Sequence, residues 1–309
     1  MTYISIVVPL YKCSAFIDEL SQRLIKTLDK INPAFEIIFV NDASPENDWE
    51  MVTRLATADN RIKGISLSRN FGQHYAITAG LNVAKGEWIV VMDGDLQDVP
   101  EEIIKLHEKA GEGYDVVQAR RFERKDGLIK KTGSKLFYKI FSYLTDTEQD
   151  ATVANFGIYN KKVINSINSL GDSIRYFPTL VQFVGFRQTK INVEHAPRNN
   201  GKSSYSLKSL FALSFNNIIA FSDKPLRLTL KFGILIVVLS FIYAIYILIK
   251  YLSGGISVTG FTTMAISIWF LSGVIIMLLG MLGLYLGKTF DKVKDRPTFI
   301  INSKINTDV

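Results

Sequence analysis

Two stretches near the C-terminal end of this 309-residue chain restrict its fold more than any other feature. Between Lys231 and Lys250 lie 18 uncharged residues, FGILIVVLSFIYAIYILI, and between Lys250 and Lys288 no charged residue occurs at all. About 20 apolar residues cross the hydrocarbon of a bilayer, so each window is long enough for one span. The pattern predicts membrane helices over 226–252 and 261–287, joined by a loop containing SGGISVTG. A buried hairpin of soluble-core helices is the competing reading. Against it, the 48% hydrophobic content exceeds what a soluble domain of this length needs, and the excess sits in these windows.

Cations set the expected orientation. Lys224, Arg227 and Lys231 precede the first window, Lys288, Lys292, Lys294 and Arg296 follow the second, and Lys250 alone borders the loop between. By the positive-inside rule both termini, including the tail over 288–309, are cytoplasmic and the protein is a two-span protein of the inner or plasma membrane. The opening ISIVVPLY is too short for a signal sequence and lacks a basic start, so the N-terminal region is expected to stay in the cytoplasm. The single cysteine, Cys13, allows no internal disulfide and reads as a packing residue.

Ahead of the spans, over 1–203, strand-like and helix-like segments alternate. ISIVVPL, FEIIFVND, IKGISLS, EWIVVMDGD and YDVVQAR are β-rich. Between them, FIDELSQRLIKTLDKI, WEMVTRLATAD, GQHYAITAGLNVAKG and PEEIIKLHEKAGEG carry helical spacing. FGIYNKKVINSI reads as a strand turning into a helix, and VGFRQTKINVEHAPR as extended chain. This rhythm predicts an α/β domain with a mostly parallel, Rossmann-like sheet covered on both faces. Over 204–225, Leu207, Phe211, Phe215, Ile218 and Ile219 form an apolar stripe suited to a helix lying in the membrane interface.

One strand runs into acid: EWIVVMDGDLQDVP places Asp93, Asp95 and Asp98 directly after Ile89–Met92. At most strand ends an aspartate only favours a turn or caps a helix. Here the i, i+2 spacing turns Asp93 and Asp95 to the same side in extended chain, and two converging carboxylates repel unless a cation lies between them. Mg2+ or Mn2+ takes oxygen ligands and binds through one or two carboxylates plus substrate phosphate. Open α/β sheets bind ligands at this end of their strands. His74, His107 and His195 lack metal-ligand spacing and read as surface or structural residues.

The net charge of +7 is uneven, with eight Lys or Arg against two acids in QARRFERKDGLIKKTGSKLFYK, from Gln118 to Lys139. Such a run is commonly a solvated face. In a chain with membrane spans it also suits anionic headgroups or a lipid phosphate, to which Arg120, Arg121, Arg124, Lys130, Lys131 and Ser134 are candidate ligands. No stacking-aromatic or helix-turn-helix pattern points to nucleic acid. A homo-oligomer is left open.

Taken in order, IVVPLYK, VNDASPEND, SRNFGQ, MDGDLQDVP, RNNGKSSYS with SDKPLR, and LYLGKTFDKVKDRP resemble the polyisoprenyl-phosphate branch of family 2 glycosyltransferases, which includes bactoprenol-phosphate glucosyltransferases and dolichol-phosphate mannosyltransferases. The resemblance covers nearly the whole chain. It implies a GT-A catalytic domain, a nucleotide-sugar donor, a divalent metal and a lipid phosphate acceptor. Asp42 then corresponds to the aspartate that hydrogen-bonds the nucleobase, and Pro9 and Tyr11 to positions lining base and ribose. Asp93 falls nearest ribose and metal, Asp95 matches the direct metal ligand, and Gln97 and Asp98 lie beside the sugar. Arg198 and Lys202 resemble cations that fold over the diphosphate.

Three positions depart from the family pattern: Lys12 replaces a common Asn, His195 a frequent Arg, and Asn155 stands where a proposed catalytic aspartate is usual. Either the base is dispensable for a phosphate nucleophile, or Asp150 or Asp98 substitutes, or activity is weakened; the first is favoured. The resulting expectation is an inverting transferase that moves a hexose, glucose from UDP-glucose by preference, onto undecaprenyl phosphate at the cytoplasmic leaflet. GDP-mannose, UDP-GlcNAc or UDP-galactose as donor, and a non-catalytic membrane scaffold, are the alternatives. Two spans and no QxxRW-like motif speak against a processive polysaccharide synthase.

Overall fold

A computed structural model describes residues 2–121, 143–144, 153–172, 175–196, 218–219, 222–253 and 260–307. The N-terminal part alternates as expected: β1 (Ile4–Leu10), α1 (Ile17–Leu28), β2 (Phe35–Asn41), α2 (Asp48–Ala58), β3 (Ile62–Leu67), α3 (Gln73–Val83), β4 (Trp88–Val91), α4 (Ile103–Gly111) and β5 (Val116–Arg121). β6 (Val153–Asn160), α5 (Lys161–Ser169), α6 (Phe177–Phe183) and β7 (Gln188–Val193) follow. Two long helices, α7 (Lys224–Leu252) and α8 (Phe261–Val293), precede a last strand, β8 (Ile301–Ile305).

All eight strands form one sheet in the order β7-β5-β6-β4-β1-β2-β3-β8. β6 runs antiparallel to β4 and β5, and β8 antiparallel to β3, while the remaining pairings are parallel. Every residue of β1 and β2 is buried, as strands covered on both faces must be. Ile4, Ile6, Val8 and Leu10 share a core with Leu20, Leu24 and Leu28 of α1, Val52 of α2 and Leu106 of α4. α3 covers the other face of β1, with α5 and α6 beside it. At the N-terminal edge of the sheet the buried Glu36 is fully engaged, with Ser5 Oγ at 2.5 Å, the Lys85 N–H at 2.6 Å and Lys63 Nζ at 2.6 Å. A charge so deep is tolerated only when paired in this way.

α7 and α8 contain the two apolar windows, and both are long and apolar enough to cross a membrane. Their large apolar side chains face outward, Trp269 and Leu286 among them. The residues fall into two compact units, one of 1–142, 147–205 and 297–309, the other of 143–146 and 206–296. This corrects one expected boundary. The C-terminal region is not a plain tail from Lys288: α8 continues to Val293, and the last residues return to the first unit as β8. Of the expected interfacial helix only Ile218, Ile219 and the residues from Ser222 are described, so it lies largely outside the described residues.

Candidate active site

Parallel pairing brings the C-terminal ends of β1, β2 and β4 together, because Leu10 pairs with Asn41 and Val7 with Val91. Pro9 and Asp93 each lie two residues beyond that last β1–β4 pair. On the other side β6 sets Gly157 opposite Val91, and Asn155 and Asp93 each lie two residues beyond that pair. Gly94 makes this approach feasible, since a Cβ there would sit 2.7 Å from Leu10 Cδ2 and 3.3 Å from Pro9 O. Any larger residue pushes the acidic loop off β1.

The loops at this edge are tightly wound. Lys12, Ala43 and Leu96, one after each of the three strands, have φ of 59°, 50° and 59°, a left-handed conformation that non-glycine residues adopt at a cost. Side chains hold these turns: the Lys12 N–H donates to Ser44 Oγ at 3.0 Å, the Ser44 N–H to Asn41 Oδ1 at 3.0 Å, and the Cys13 N–H to Asp48 Oδ2 at 3.1 Å. Cys13 is buried, and burial pushes its thiol pKa up to about 12, in keeping with a packing role.

The acidic loop is organised from within. Asp95 Oδ1 accepts the Gln97 N–H at 3.2 Å, which turns the chain at Leu96, and this is its one hydrogen bond among the described residues. The Asp93 N–H donates to Asp98 Oδ2 at 3.1 Å, and Gln73 Nε2 donates to Asp93 Oδ1 at 2.6 Å. Asp93 and Asp95 remain partly exposed, whereas Asp98 is 2% exposed. Asp98 also forms a β-bridge with His195, whose Nδ1 is 3.9 Å from Asp98 Oδ1, and the Ala196 N–H donates to Gln97 O at 3.0 Å. So buried, Asp98 has the position of a brace between the acidic loop and residues 195–196, not of an exposed base. His195, read from the sequence as surface or structural, abuts the site through this bridge.

Asp42 follows β2 and is 2% exposed. Its Oδ1 accepts the Phe71 N–H at 2.7 Å and its Oδ2 the Gly72 N–H at 2.8 Å. Burial raises its pKa and the two amides lower it, with burial the larger influence. Tyr11 is 43% exposed just beyond the buried Pro9. Arg120 is exposed and pairs with Val153 and Asn192, on the same edge of the sheet as the carboxylates. Arg121 ends β5 opposite Val193. Arg124, Lys130, Lys131, Ser134, Asp150, Arg198 and Lys202 lie outside the described residues. One residue that carried no assigned role, Gln73, borders the site; the next residue, His74, read from the sequence as surface or structural, has its ring edge-on to Tyr176 with centroids 4.6 Å apart. Gln73 was visible only as the last residue of SRNFGQ.

No group of three or more His, Cys, Asp or Glu among the described residues could by itself hold a metal. The donor set of Asp93 and Asp95, two carboxylates with partial access and no nitrogen or sulfur, fits a hard divalent ion that completes its shell with water and phosphate.

A mostly parallel sheet that gathers tightly wound loops and two nearby carboxylates beyond its central strands is a GT-A fold. Mycobacterium tuberculosis glucosyl-3-phosphoglycerate synthase, crystallised with Mn2+, uridine diphosphate and phosphoglyceric acid, shares it, at a TM-score of 0.53 and 16% identity over 71% of this chain and 77% of that one. The chain belongs to glycosyl transferase family 2, whose model matches residues 5–167. It is 37% identical over 298 residues to the uncharacterized glycosyltransferase YkcC of Bacillus subtilis (strain 168), across 96% of this chain and 92% of that one. It is 32% identical over 306 residues to the undecaprenyl-phosphate 4-deoxy-4-formamido-L-arabinose transferase of Proteus mirabilis (strain HI4320), across 98% and 94%. These relatives fit the polyisoprenyl-phosphate branch of the family.

Proposed function

We propose that the protein transfers a hexose, with UDP-glucose the favoured donor, to a polyisoprenyl phosphate such as undecaprenyl phosphate at the surface of a membrane. The observation that carries this reading is the loop of Asp93 and Asp95 directly beyond β4, the strand that lies between β1 and β6 in the sheet, in a chain that also bears two exposed apolar helices. Likeness to the Proteus protein along almost the full chain supports the lipid phosphate as acceptor.

In this reading Asp95, with Asp93, holds Mg2+ or Mn2+. The bound ion would neutralise the donor diphosphate and stabilise the charge that gathers on the departing nucleotide. Tyr11, just beyond the buried Pro9, faces the base and ribose, Gln97 lies by the sugar, and Arg198 and Lys202 close over the diphosphate, while the buried Asp42 supports this end of the site through the Phe71 and Gly72 amides. Arg120, Arg121, Arg124, Lys131 and Ser134 hold the acceptor phosphate, guanidinium groups being suited to bidentate pairing.

The acceptor is a phosphate monoester with a second pKa of about 6, by analogy with phosphoserine, so its oxygen attacks as an anion at neutral pH. A side-chain base adds little to such a nucleophile, which suits Asn155, on β6 beside β4, in place of an aspartate. Direct displacement by one nucleophile inverts the anomeric carbon.

Incubation of the purified protein with radiolabelled nucleotide sugars and short polyprenyl phosphates, with and without chelator, tests the reading. The panel includes UDP-glucose, UDP-galactose, UDP-GlcNAc and GDP-mannose. Chelator-sensitive label in the lipid phase is expected, most with UDP-glucose. Absence of labelled lipid with every donor would leave the scaffold alternative standing.

A further inference from the structure

We infer that Gln73 is a positioning residue for the nucleotide site, holding the Asp93 carboxylate in place, and that Asp42 acts on the same site by fixing the backbone from which Gln73 projects. The inference rests on the reading of Asp93 as part of a nucleotide and metal site, and it adds a function for a neutral side chain from another element.

Gln73 is the first residue of α3, and its Nε2 lies 2.6 Å from Asp93 Oδ1. An ionised carboxylate offers only acceptors, so the amide must present its NH2 group to it. Hydrogen bonds to a charged acceptor are roughly twice as strong as neutral ones. Asp93 is therefore held twice, at its side chain by Gln73 and at its backbone N–H by Asp98 Oδ2 at 3.1 Å. A carboxylate tied at one oxygen cannot rotate freely, and its plane is set before any ligand arrives. Such preorganisation lowers the ordering cost of binding.

The position of Gln73 has to be fixed in turn. Helix α3 begins after Gly72, at φ 103°, and no side chain caps its first turn. Instead the two amides immediately before Gln73, those of Phe71 and Gly72, donate to the two oxygens of the buried Asp42 at 2.7 and 2.8 Å. Asp42 grips the chain in bidentate fashion one residue ahead of the side chain that touches Asp93. A continuous path of short, charge-assisted contacts thus runs from the end of β2 through the start of α3 to the end of β4. Its physical content is that Asp42 contributes to metal binding without touching the metal.

The test uses the full-length protein in detergent with Mn2+ and saturating UDP, the free Mn2+ signal being read by electron paramagnetic resonance. Gln73→Met keeps side-chain length and helix propensity but removes the donor. It is expected to raise the Mn2+ dissociation constant about tenfold, the typical effect of losing one hydrogen bond to a charged group. Asp42→Asn is expected to weaken Mn2+ binding similarly. The double variant should lose no more than the weaker single variant, since both changes act through one contact. In transfer assays Gln73→Met should raise the KM for nucleotide sugar and leave the KM for polyprenyl phosphate unchanged, a split that general loosening of the fold does not produce. Wild-type Mn2+ affinity in Gln73→Met overturns the inference, and additive losses in the double variant overturn the part assigned to Asp42. Wild-type protein that holds Mn2+ with neither UDP nor GDP overturns the nucleotide-site reading itself, and the inference with it.

Discussion

At the scale of single residues, the site is built from carboxylates whose roles differ because their surroundings differ. Asp93 and Asp95 keep access to solvent, while Asp42 and Asp98 are each 2% exposed, Asp42 with both oxygens on backbone amides and Asp98 with one on the Asp93 N–H and the other toward His195. His74 shows the same logic in a base. Burial pushes its pKa from 6.5 down to about 4, and its buried Nδ1 has no hydrogen-bond partner among the described residues, so the ring is neutral in the folded protein. Between pH 6.5 and 4 the unfolded chain takes up a proton that the folded ring refuses, so this contribution to stability is present above pH 6.5 and is lost as pH falls toward 4. Thermal unfolding should accordingly occur at lower temperature at pH 5 than at pH 7, and His74→Leu should flatten that dependence. Identical pH slopes for the two proteins would contradict it. Asp42 and Asp48, raised by burial, act in the opposite sense, so the comparison with His74→Leu isolates the histidine.

At the scale of elements, the order of strands and helices through β5 was legible in the sequence, because strands covered on both faces read as unbroken apolar runs and α1 places Leu20, Leu24 and Leu28 on one buried face. Strand direction was not legible: nothing local in FGIYN says that β6 runs against β4, a choice made by chain connection and packing. Nor did the sequence disclose β8. Its five residues, INSKI, look like ordinary polar tail, and their partner is the edge of β3, more than 200 positions away. The pairing is closed by Asn306, at φ 57°, whose Nδ2 donates to Ala56 O at 2.6 Å and to Ile62 O at 2.9 Å. Asn306→Ala removes both bonds and leaves an alanine in a left-handed conformation, so a loss of about 1–3 kcal/mol is expected by thermal or denaturant unfolding. Asn306→Gly, which relieves the backbone, should lose less. An unchanged melting temperature in Asn306→Ala would show that β8 does not add to the stability of the sheet. The candidate site divides along the same line. Asp93 and Asp95 stood out in the sequence by their i, i+2 spacing, although the strand ends at Val91 and the chain turns at Gly94 and Asp95, whereas Gln73, neutral and 20 residues from its partner, carried no local signal.

At the scale of the whole molecule, the return of the chain to its first unit bears on membrane topology. Residues 1–142, 147–205 and 297–309 share one unit, so segments from before and after the two apolar helices belong together, as the proposed two-span topology requires. This agrees with the cations flanking both outer ends of the windows and supports the proposal that both termini are cytoplasmic. In a Cys13→Ser background, Ser257→Cys should react with a membrane-impermeant maleimide on intact cells, and Asn302→Cys only after permeabilisation. Labelling of Asn302→Cys in intact cells would reverse the orientation.

The proposal that Asp95 anchors the divalent ion on which sugar transfer to the lipid depends is decided by assaying Asp95→Asn beside the wild type, with and without chelator. Wild type should lose glycolipid synthesis on chelation and regain it with Mg2+ or Mn2+, while Asp95→Asn stays at least about 100-fold below the wild type at any metal concentration, on the scale of removing one stabiliser of transition-state charge. Wild-type rates from Asp95→Asn, unaffected by chelator, would contradict it.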